Sequence, residues 1–149
     1  MIDAGAGAFR FELLPFERLT LHQFHDLAVL RNDVFVVGQQ ITAEPELDGH
    51  DPEYHHALFY RVEELVGTAR VKLDASPIKV GRVAISRALQ RSGLGTMMMR
   101  QVQAQLGARP ALLHAQAHLE PWYVSLGWVR EGDLFVEAEI PHVTMRWSP

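Results

Sequence analysis

The sequence predicts one α/β domain over residues 1–149, with a central mixed sheet of about seven strands flanked by helices. Apolar runs typical of strands alternate along the chain with segments whose apolar residues recur every three to four positions, as in helices. In the second half a strand, a helix and another strand follow in succession, which implies a parallel pair joined by a right-handed crossover. A length of 149 residues is ordinary for one domain with its own core.

The first half is predicted to contain three strands and one helix. Thr20 and Gln23 fit a capping box, in which each side chain accepts an N–H that the first helical turn leaves unpaired. The helix is expected to end near Gly38, since glycine is common after helix ends. Residues 1–8 have no basic or apolar stretch and are expected to form a loose tail, not a signal peptide. The predicted elements are strand 9–16, helix 20–38, loop 39–54, and a hairpin of strands 57–62 and 65–73 turning at Glu63-Glu64.

The second half is predicted to contain four strands and two helices. Gly107 and Pro110 end the longer helix. Ile140-Pro141 is expected to separate the last two strands, because proline lacks the N–H that a strand donates. The predicted elements are strand 78–86, helix 94–106, strand 112–116, helix 119–126, and strands 129–138 and 142–147.

Composition excludes several classes of function. The net charge is −4 and no basic face is evident, which argues against nucleic acid as a partner. No apolar run reaches the roughly 18 residues of a membrane helix, so no membrane partner is expected. The chain has no cysteine, which excludes disulfides, a thiol nucleophile and a cysteine-based zinc site. The composition fits a cytoplasmic protein.

The loop at residues 39–54 is rich in acidic side chains and allows more than one interpretation. It carries Glu44, Glu46, Asp48, Asp51 and Glu53. These residues form either a solvated surface or an acidic rim that attracts a cationic amine. Three nearby histidines, His50, His55 and His56, suggest a metal site, but their spacing matches no zinc pattern and no metal is expected.

The turn between strand 78–86 and helix 94–106 is the strongest candidate site. Gly93 and Gly95 allow a ligand to approach the backbone, and the first N–H groups of the helix favour an anion such as a phosphate. Arg91 adds a cation suited to phosphate oxygens. The Walker pattern fails because Thr96-Met97 stands where Lys-Ser/Thr is needed, and Met98 replaces the third glycine of the dinucleotide pattern. An ATP or NAD domain is therefore disfavoured, and Q-x-x-G-x-G remains.

This pattern, Gln90 to Gly95, resembles the pyrophosphate loop of the GNAT superfamily of N-acetyltransferases. The predicted order of elements is similar to the GNAT acyl-CoA N-acyltransferase fold. The segments Ala115-Gln116-Ala117-His118, Trp122 to Trp128 and Ile140 to Met145 resemble, in order and spacing, the small bacterial ElaA-like branch. Two positions depart from that branch: Gly38 stands in place of a usual glutamate, and Thr42 in place of a frequent proline.

The resemblance implies an acetyl-CoA-dependent N-acetyltransferase. Acetyl-CoA is the cosubstrate, and the acceptor is a primary amine of a small molecule, a lysine or an N-terminus. Backbone groups of Val83, Ala84 and Ile85 would hold the pantetheine arm. The residues expected to wrap the pyrophosphate are Arg91, Ser92, Gly93, Leu94, Gly95 and Thr96.

Tyr123, four residues before Gly127, occupies the position of the superfamily's acid. A phenol has a pKa of about 10 and a thiol about 8.5, so at neutral pH Tyr123 would be protonated and able to donate to the leaving thiolate and to contact the coenzyme. The alternative is a tyrosine with a packing role only.

The base has several candidates. Glu44 or Glu46 could act through a water chain, and His118 could relay a proton because histidine titrates near neutral pH. A non-catalytic acyl-CoA sensor or interaction module on the same fold is the alternative function, favoured by Gly38. A homodimer through the C-terminal strands is a further expectation.

Overall fold

The computed structural model describes residues 8–148, and all but Ala8 of the predicted N-terminal tail lies outside the described residues. Seven strands and three α-helices form the described fold, with the α-helices within these residues too short to cross a membrane. In chain order the elements are β1 (Phe9–Pro15), α1 (Leu21–Arg31), a π-helical turn (Asn32–Gly38), β2 (His55–Arg61), β3 (Glu64–Lys72), β4 (Ile78–Ile85), α2 (Leu94–Leu106), β5 (Ala111–Gln116), α3 (Glu120–Ser125), β6 (Val129–Glu137) and β7 (Ile140–Trp147).

All seven strands form one mixed sheet in the order β1-β2-β3-β4-β5-β7-β6. The pair β4–β5, which α2 connects, is parallel, and the other neighbours are antiparallel. The mixed α/β sheet predicted from the sequence is therefore confirmed, together with its parallel pair.

The helices cover both faces of the sheet. Side chains of a strand alternate between faces, and on β2 Phe59 packs with the buried residues of α2 while Leu58 packs against Leu27 of α1. The α2 face holds most of the core, including Met98 and Met99. The sheet is thus a platform with α1 on one side and α2 on the other.

The first helix begins as predicted but does not continue regularly to Gly38. Thr20 Oγ1 accepts Gln23 N at 3.0 Å and Gln23 Oε1 accepts Thr20 N at 2.9 Å, which confirms the capping box. After Arg31 the chain widens into a π-helical turn, in which Gln39 N donates to Val34 O at 3.0 Å. No glycine or proline before Gly38 marks this change in the sequence.

Two hairpin turns also differ from the predictions. The β2–β3 turn is at Val62-Glu63, one residue earlier than predicted, with Val62 at φ 56°. Ile140-Pro141 does not separate the last strands: both residues belong to β7, and Pro141 pairs with Val136. The chain reverses instead at Ala138 and Glu139, both left-handed at φ 50° and 66°. Strand register decides these turns, since neither contains the glycine that would mark it in the sequence.

Candidate active site

The turn between β4 and α2 leaves the helix N-terminus open. Gly93 is the N-cap of α2 at φ 89°, and no side chain caps this helix. Arg91 is also left-handed, at φ 64°, and its side chain is exposed. The unpaired N–H groups of the first turn and the guanidinium of Arg91 therefore border the same exposed turn, an arrangement that suits a phosphate or pyrophosphate.

Two side chains of the turn fold back onto its own backbone. Gln90 Nε2 donates to Ile85 O at 3.1 Å, which ties the turn to the end of β4. The hydroxyl of Ser92 donates to the carbonyl of Leu89. The glutamine of the Q-x-x-G-x-G pattern thus has a structural partner in β4, and exposed Gly93 leaves the backbone of the turn accessible.

Trp122 is a further site residue to which the sequence pattern gave no role. Its Nε1 donates to Thr96 Oγ1 at 3.0 Å. A Cβ at Gly95 would lie 3.2 Å from Trp122 Cζ2 and 3.4 Å from Ile85 Cγ1. Gly95 therefore allows the indole to pack against the first turn of α2, a contact that depends on the tertiary fold.

Tyr123 lies next to that tryptophan, on the inward face of α3. Its ring centroid is 4.7 Å from that of Trp122 and 6.2 Å from that of Trp128. The residue is 4% exposed, and burial raises the pKa of Tyr123 above its ordinary value. The phenol is therefore protonated at neutral pH and can act as a donor.

The strands β4 and β5 separate beside this turn. They pair only from Ile78 opposite Ala111 to Val80 opposite Leu113, and then diverge. Beyond the divergence, the amides of Gln39 and Gln116 form two reciprocal hydrogen bonds of 2.9 and 3.0 Å. Residues 83–85 of β4 thus face a gap in the sheet. An amide pair links the end of β5 to the segment that follows α1.

The acidic loop is neither a solvated surface nor a free acidic rim. Arginines from α1, β3 and β4 bind three of its carboxylates. The ion pairs are Arg31–Glu46 (2.8 Å), Arg31–Asp51 (2.8 Å), Arg70–Asp48 (2.6 Å), Arg70–Asp51 (3.0 Å) and Arg82–Glu46 (2.8 Å). Arg31 is 1% exposed and Asp51 4%. The loop is therefore fixed to the sheet by ion pairs that no local sequence pattern indicates.

The ion pairs keep these carboxylates charged. Hydrogen bonds from Arg70 hold the pKa of Asp48 well below its usual range. The pKa of Asp51 is also lowered: burial opposes the shift, but the guanidinium groups of Arg31 and Arg70 outweigh it. Asp48 and Asp51 are thus components of a charge-paired structure at neutral pH, not groups that exchange protons.

Two of the three histidines near the loop, His50 and His56, contact protein groups. His50 Nδ1 lies 2.7 Å from Glu53 Oε2, and buried His56 Nε2 lies 2.9 Å from the carbonyl oxygen of Asp51. In residues 8–148 no three histidine or carboxylate side chains converge as metal ligands. His118 is exposed in the short turn that follows β5. Its position after the diverging end of β5 keeps it a candidate for proton transfer.

The space beside Gly38, where another residue would have its side chain, is filled by Arg87. A Cβ at this position would lie 2.7 Å from Arg87 Cδ. Arg87 itself donates to both carboxylate oxygens of Asp33, at 2.8 and 3.0 Å. Glycine at position 38 therefore leaves room for the side chain of Arg87. This residue precedes the turn at residues 90–96 and pairs with Asp33 of the π-helical turn.

A cavity of about 290 Å³ lies elsewhere, between α1 and the acidic loop. Its lining residues are His25, Ala28, Val29, Asn32, Glu46 and Leu47. None of residues 83–85 or 91–96 lines it. The open turn and the diverging strands therefore lie outside this cavity.

A mixed seven-stranded sheet whose one parallel pair opens beside an uncapped helix is the fold of the acyl-CoA N-acyltransferases. The acetyltransferase (GNAT) domain family matches residues 25–149. The chain belongs to this family.

Individual relatives support the same family assignment. Protein ElaA of Escherichia coli K12 is 33% identical over 141 residues, which cover 89% of this chain and 92% of ElaA. An acyl-CoA N-acyltransferase from Pseudomonas aeruginosa superposes with a TM-score of 0.83 at 31% identity, covering 93% of this chain and 98% of that one. A GNAT family acetyltransferase from Elizabethkingia anophelis, solved with acetyl-CoA bound, has a TM-score of 0.63 at 8% identity, covering 96% and 99%. This last match shows the common fold.

Proposed function

We propose that this chain transfers an acetyl group from acetyl-CoA to a primary amine of a small molecule, a lysine or an N-terminus. The observation that carries the proposal is the turn before α2. Gly93 there exposes an uncapped helix N-terminus, and Arg91 is exposed beside it. A pyrophosphate group is the anion that acetyl-CoA would bring to this turn.

The two binding regions of the coenzyme follow from this placement. The turn, residues 91–96, holds the pyrophosphate through backbone N–H groups and the Arg91 guanidinium. Residues 83–85, next to the gap between β4 and β5, offer backbone N–H and C=O groups to the pantetheine arm, as a neighbouring strand would. A backbone N–H near Ile85 polarises the thioester carbonyl and stabilises the oxyanion.

Tyr123 serves as the acid. The amine nitrogen attacks the thioester carbon, a C–N bond forms, and the carbonyl electrons move onto oxygen. When the intermediate collapses, the C–S bond breaks, and the Tyr123 hydroxyl gives its proton to the leaving sulfur. The amine loses its proton to a nearby acceptor, from which it returns through solvent to the phenol, so the products are an amide and CoA thiol. The raised pKa of Tyr123 keeps this donor protonated before each turnover.

Of the other three residues considered for proton transfer, Glu44, Glu46 and His118, we favour His118 as the proton acceptor. It is exposed next to the diverging end of β5, where solvent can reach it. Glu46 Oε2 already accepts hydrogen bonds from Arg31 and Arg82, both at 2.8 Å. A carboxylate oxygen with two guanidinium partners is poorly placed to receive a third proton donor, so Glu46 is the weaker candidate for the base.

The partners of the proposed enzyme are acetyl-CoA and the amine. We propose further that two copies associate through β6, an edge strand with exposed Val129, Leu134 and Val136. An exposed edge strand pairs readily with another strand. A cytoplasmic location, where acetyl-CoA is available, completes the proposal.

Calorimetric titration with acetyl-CoA tests the coenzyme assignment, with ATP and NAD as controls. Micromolar binding of acetyl-CoA alone is the expected result, followed by an amine screen that detects thiol release. If a folded sample does not bind acetyl-CoA, residues 90–96 form only a turn and the proposal fails.

Tyr123→Phe tests the acid. The substitution keeps the ring and removes the hydroxyl, so kcat should fall about 10²- to 10⁴-fold, while the Kd for acetyl-CoA stays close to that of the parent. Unchanged turnover would remove Tyr123 from the mechanism. A parent protein that binds acetyl-CoA but acetylates no amine would support the non-catalytic binding module instead.

A further inference from the structure

Strand β4 contains a bulge at Arg82. Gly81 pairs with Arg70 and Ala84 with Thr68, so two residues of β4, Arg82 and Val83, lie opposite one residue of β3. Arg82 adopts φ 48°, the left-handed region that residues with a side chain seldom occupy. The bulge therefore places a non-glycine residue in a strained conformation inside a strand.

The position of the bulge is significant for the site. The last residue of β4 that pairs with β5 is Val80. The bulge begins two residues later and immediately precedes Ala84 and Ile85. It therefore sets the direction in which the backbone N–H and C=O groups of the proposed pantetheine segment point.

The side chain of Arg82 is held by the acidic loop. Its Nε donates to Glu46 Oε2 at 2.8 Å, and its NH2 group donates to the backbone oxygen of Glu46 at 3.1 Å. Arg31 binds the same two oxygens, at 2.8 and 3.2 Å. Glu46 is thus shared between a buried arginine of α1 and the bulge arginine of β4.

Strained backbone conformations persist where the surroundings fix them. We propose that Glu46 and Arg82 are positioning residues: their ion pair holds Arg82 left-handed and so fixes the bulge that orients the backbone of residues 83–85 toward the thioester. This inference rests on the proposed function, because it assigns the bulge a purpose in acetyl transfer. The ion pair also links the acidic loop mechanically to the backbone proposed to bind the coenzyme arm.

Two substitutions of Arg82 separate the effect of its backbone conformation from the effect of losing its side chain. Arg82→Ala removes the ion pair but keeps a Cβ that disfavours positive φ, so kcat should fall about tenfold or more through misplacement of the reacting groups. Arg82→Gly removes the same side chain, but glycine adopts this φ without strain, and should recover most of the loss. Equal losses in the two variants would overturn the conformational role. Both variants leave the Arg31–Glu46 pair in place, so the loop keeps its anchor.

Glu46→Gln distinguishes positioning from proton transfer. If Glu46 acts through Arg82, the substitution lowers kcat across the whole pH range without changing the shape of the profile. In the Arg82→Gly background it should then have much less effect than in the parent. An equal loss in both backgrounds, or the disappearance of one limb of the pH profile, would identify Glu46 as the base and overturn the positioning role.

Hydrogen exchange provides a readout that does not need turnover. The amides of residues 83–85 should exchange about tenfold faster or more in Arg82→Ala than in the parent, because opening of the bulge exposes them. Unchanged exchange at residues 83–85 would show that the Glu46–Arg82 ion pair does not fix the bulge, even if the protein is an active transferase. A parent that does not bind acetyl-CoA would overturn the proposed function, while exchange would still decide whether the ion pair fixes the bulge.

Discussion

The turn at residues 90–96 and the acidic loop both attach to β4, but different interactions hold them. In the turn, Gln90 binds Ile85 and Ser92 binds Leu89, all within a few residues of one another, and left-handed Gly93 opens the helix end. The loop is held by arginines of α1, β3 and β4, which are far apart in the sequence. Local backbone conformation shapes the first region, whereas long-range ion pairs shape the second.

This contrast indicates what each region does. An uncapped turn whose side chains fold back onto the backbone keeps its N–H groups available to a ligand. A loop with its charges paired has few groups left for a ligand, but it has a fixed position relative to the sheet. We therefore expect substitutions in the loop to affect stability most, and substitutions in the turn to affect coenzyme binding.

Arg31→Ala should have the largest effect on stability. The substitution removes the cation that Glu46 shares with buried Asp51 and leaves each carboxylate with one arginine, so the free energy of unfolding should fall by about 3–5 kcal/mol in urea denaturation. Arg87→Ala is the control. It breaks an exposed bidentate pair with Asp33, so a loss of at most about 1 kcal/mol is expected. Similar losses of stability in both variants would show that burial does not increase the contribution of the loop's ion pairs to the free energy of unfolding.

Gly93→Ala should have the largest effect in the turn. A Cβ at φ 89° costs about 1–2 kcal/mol of stability, and relaxation of the turn should weaken acetyl-CoA binding. Gly132 has nearly the same φ, 84°, in β6, with open space around its Cα. Gly132→Ala should therefore lose similar stability and keep the parent Kd in calorimetry. If both variants lose affinity equally, Gly93 has no specific role in binding.

The same contrast explains how far the sequence could predict the site. Gln90, Gly93 and Gly95 are close in the chain and form a local pattern, so the turn and its relation to β4 and α2 could be predicted. The partners of Glu46 could not, because Arg31 and Arg82 come together only when α1 and β4 pack in the folded domain. Trp122 was missed for the same reason: its contact with Thr96 joins α3 to α2 and leaves no local signal.

His56 connects the loop to the pH dependence of stability. It is buried, and desolvation lowers the pKa of His56 below its ordinary value of about 6.5. The unfolded chain therefore binds a proton more readily than the folded one, and stability should fall as the pH drops below about 6.5, by at most about 1.4 kcal/mol per pH unit. The lowered pKa values of Asp48 and Asp51 act in the same direction, but only below about pH 4.

Urea denaturation between pH 7 and 5 tests this assignment. His56→Gln keeps a side-chain N–H for the carbonyl of Asp51 and removes the titrating ring, so the dependence in this range should become flatter. His118→Gln, at an exposed position, is the control and should keep the slope of the parent. If the free energy of unfolding of His56→Gln keeps the same pH dependence as the parent, groups other than His56 cause that dependence.

The hydrogen bond between Trp122 Nε1 and Thr96 Oγ1 should have the smallest effect, and it tests whether the turn is held by its own backbone alone. Trp122→Phe, Thr96→Val and the double variant form a cycle in which each substitution removes one partner. A coupling of about 0.5–1.5 kcal/mol in the free energy of unfolding is expected for a part-buried neutral hydrogen bond. If the single effects add, the tryptophan contributes packing without a hydrogen bond, and the turn needs no help from α3. If the coupling appears and the double variant also binds acetyl-CoA more weakly, α3 supports the turn through a tertiary contact, and the difference between the turn and the loop is one of degree.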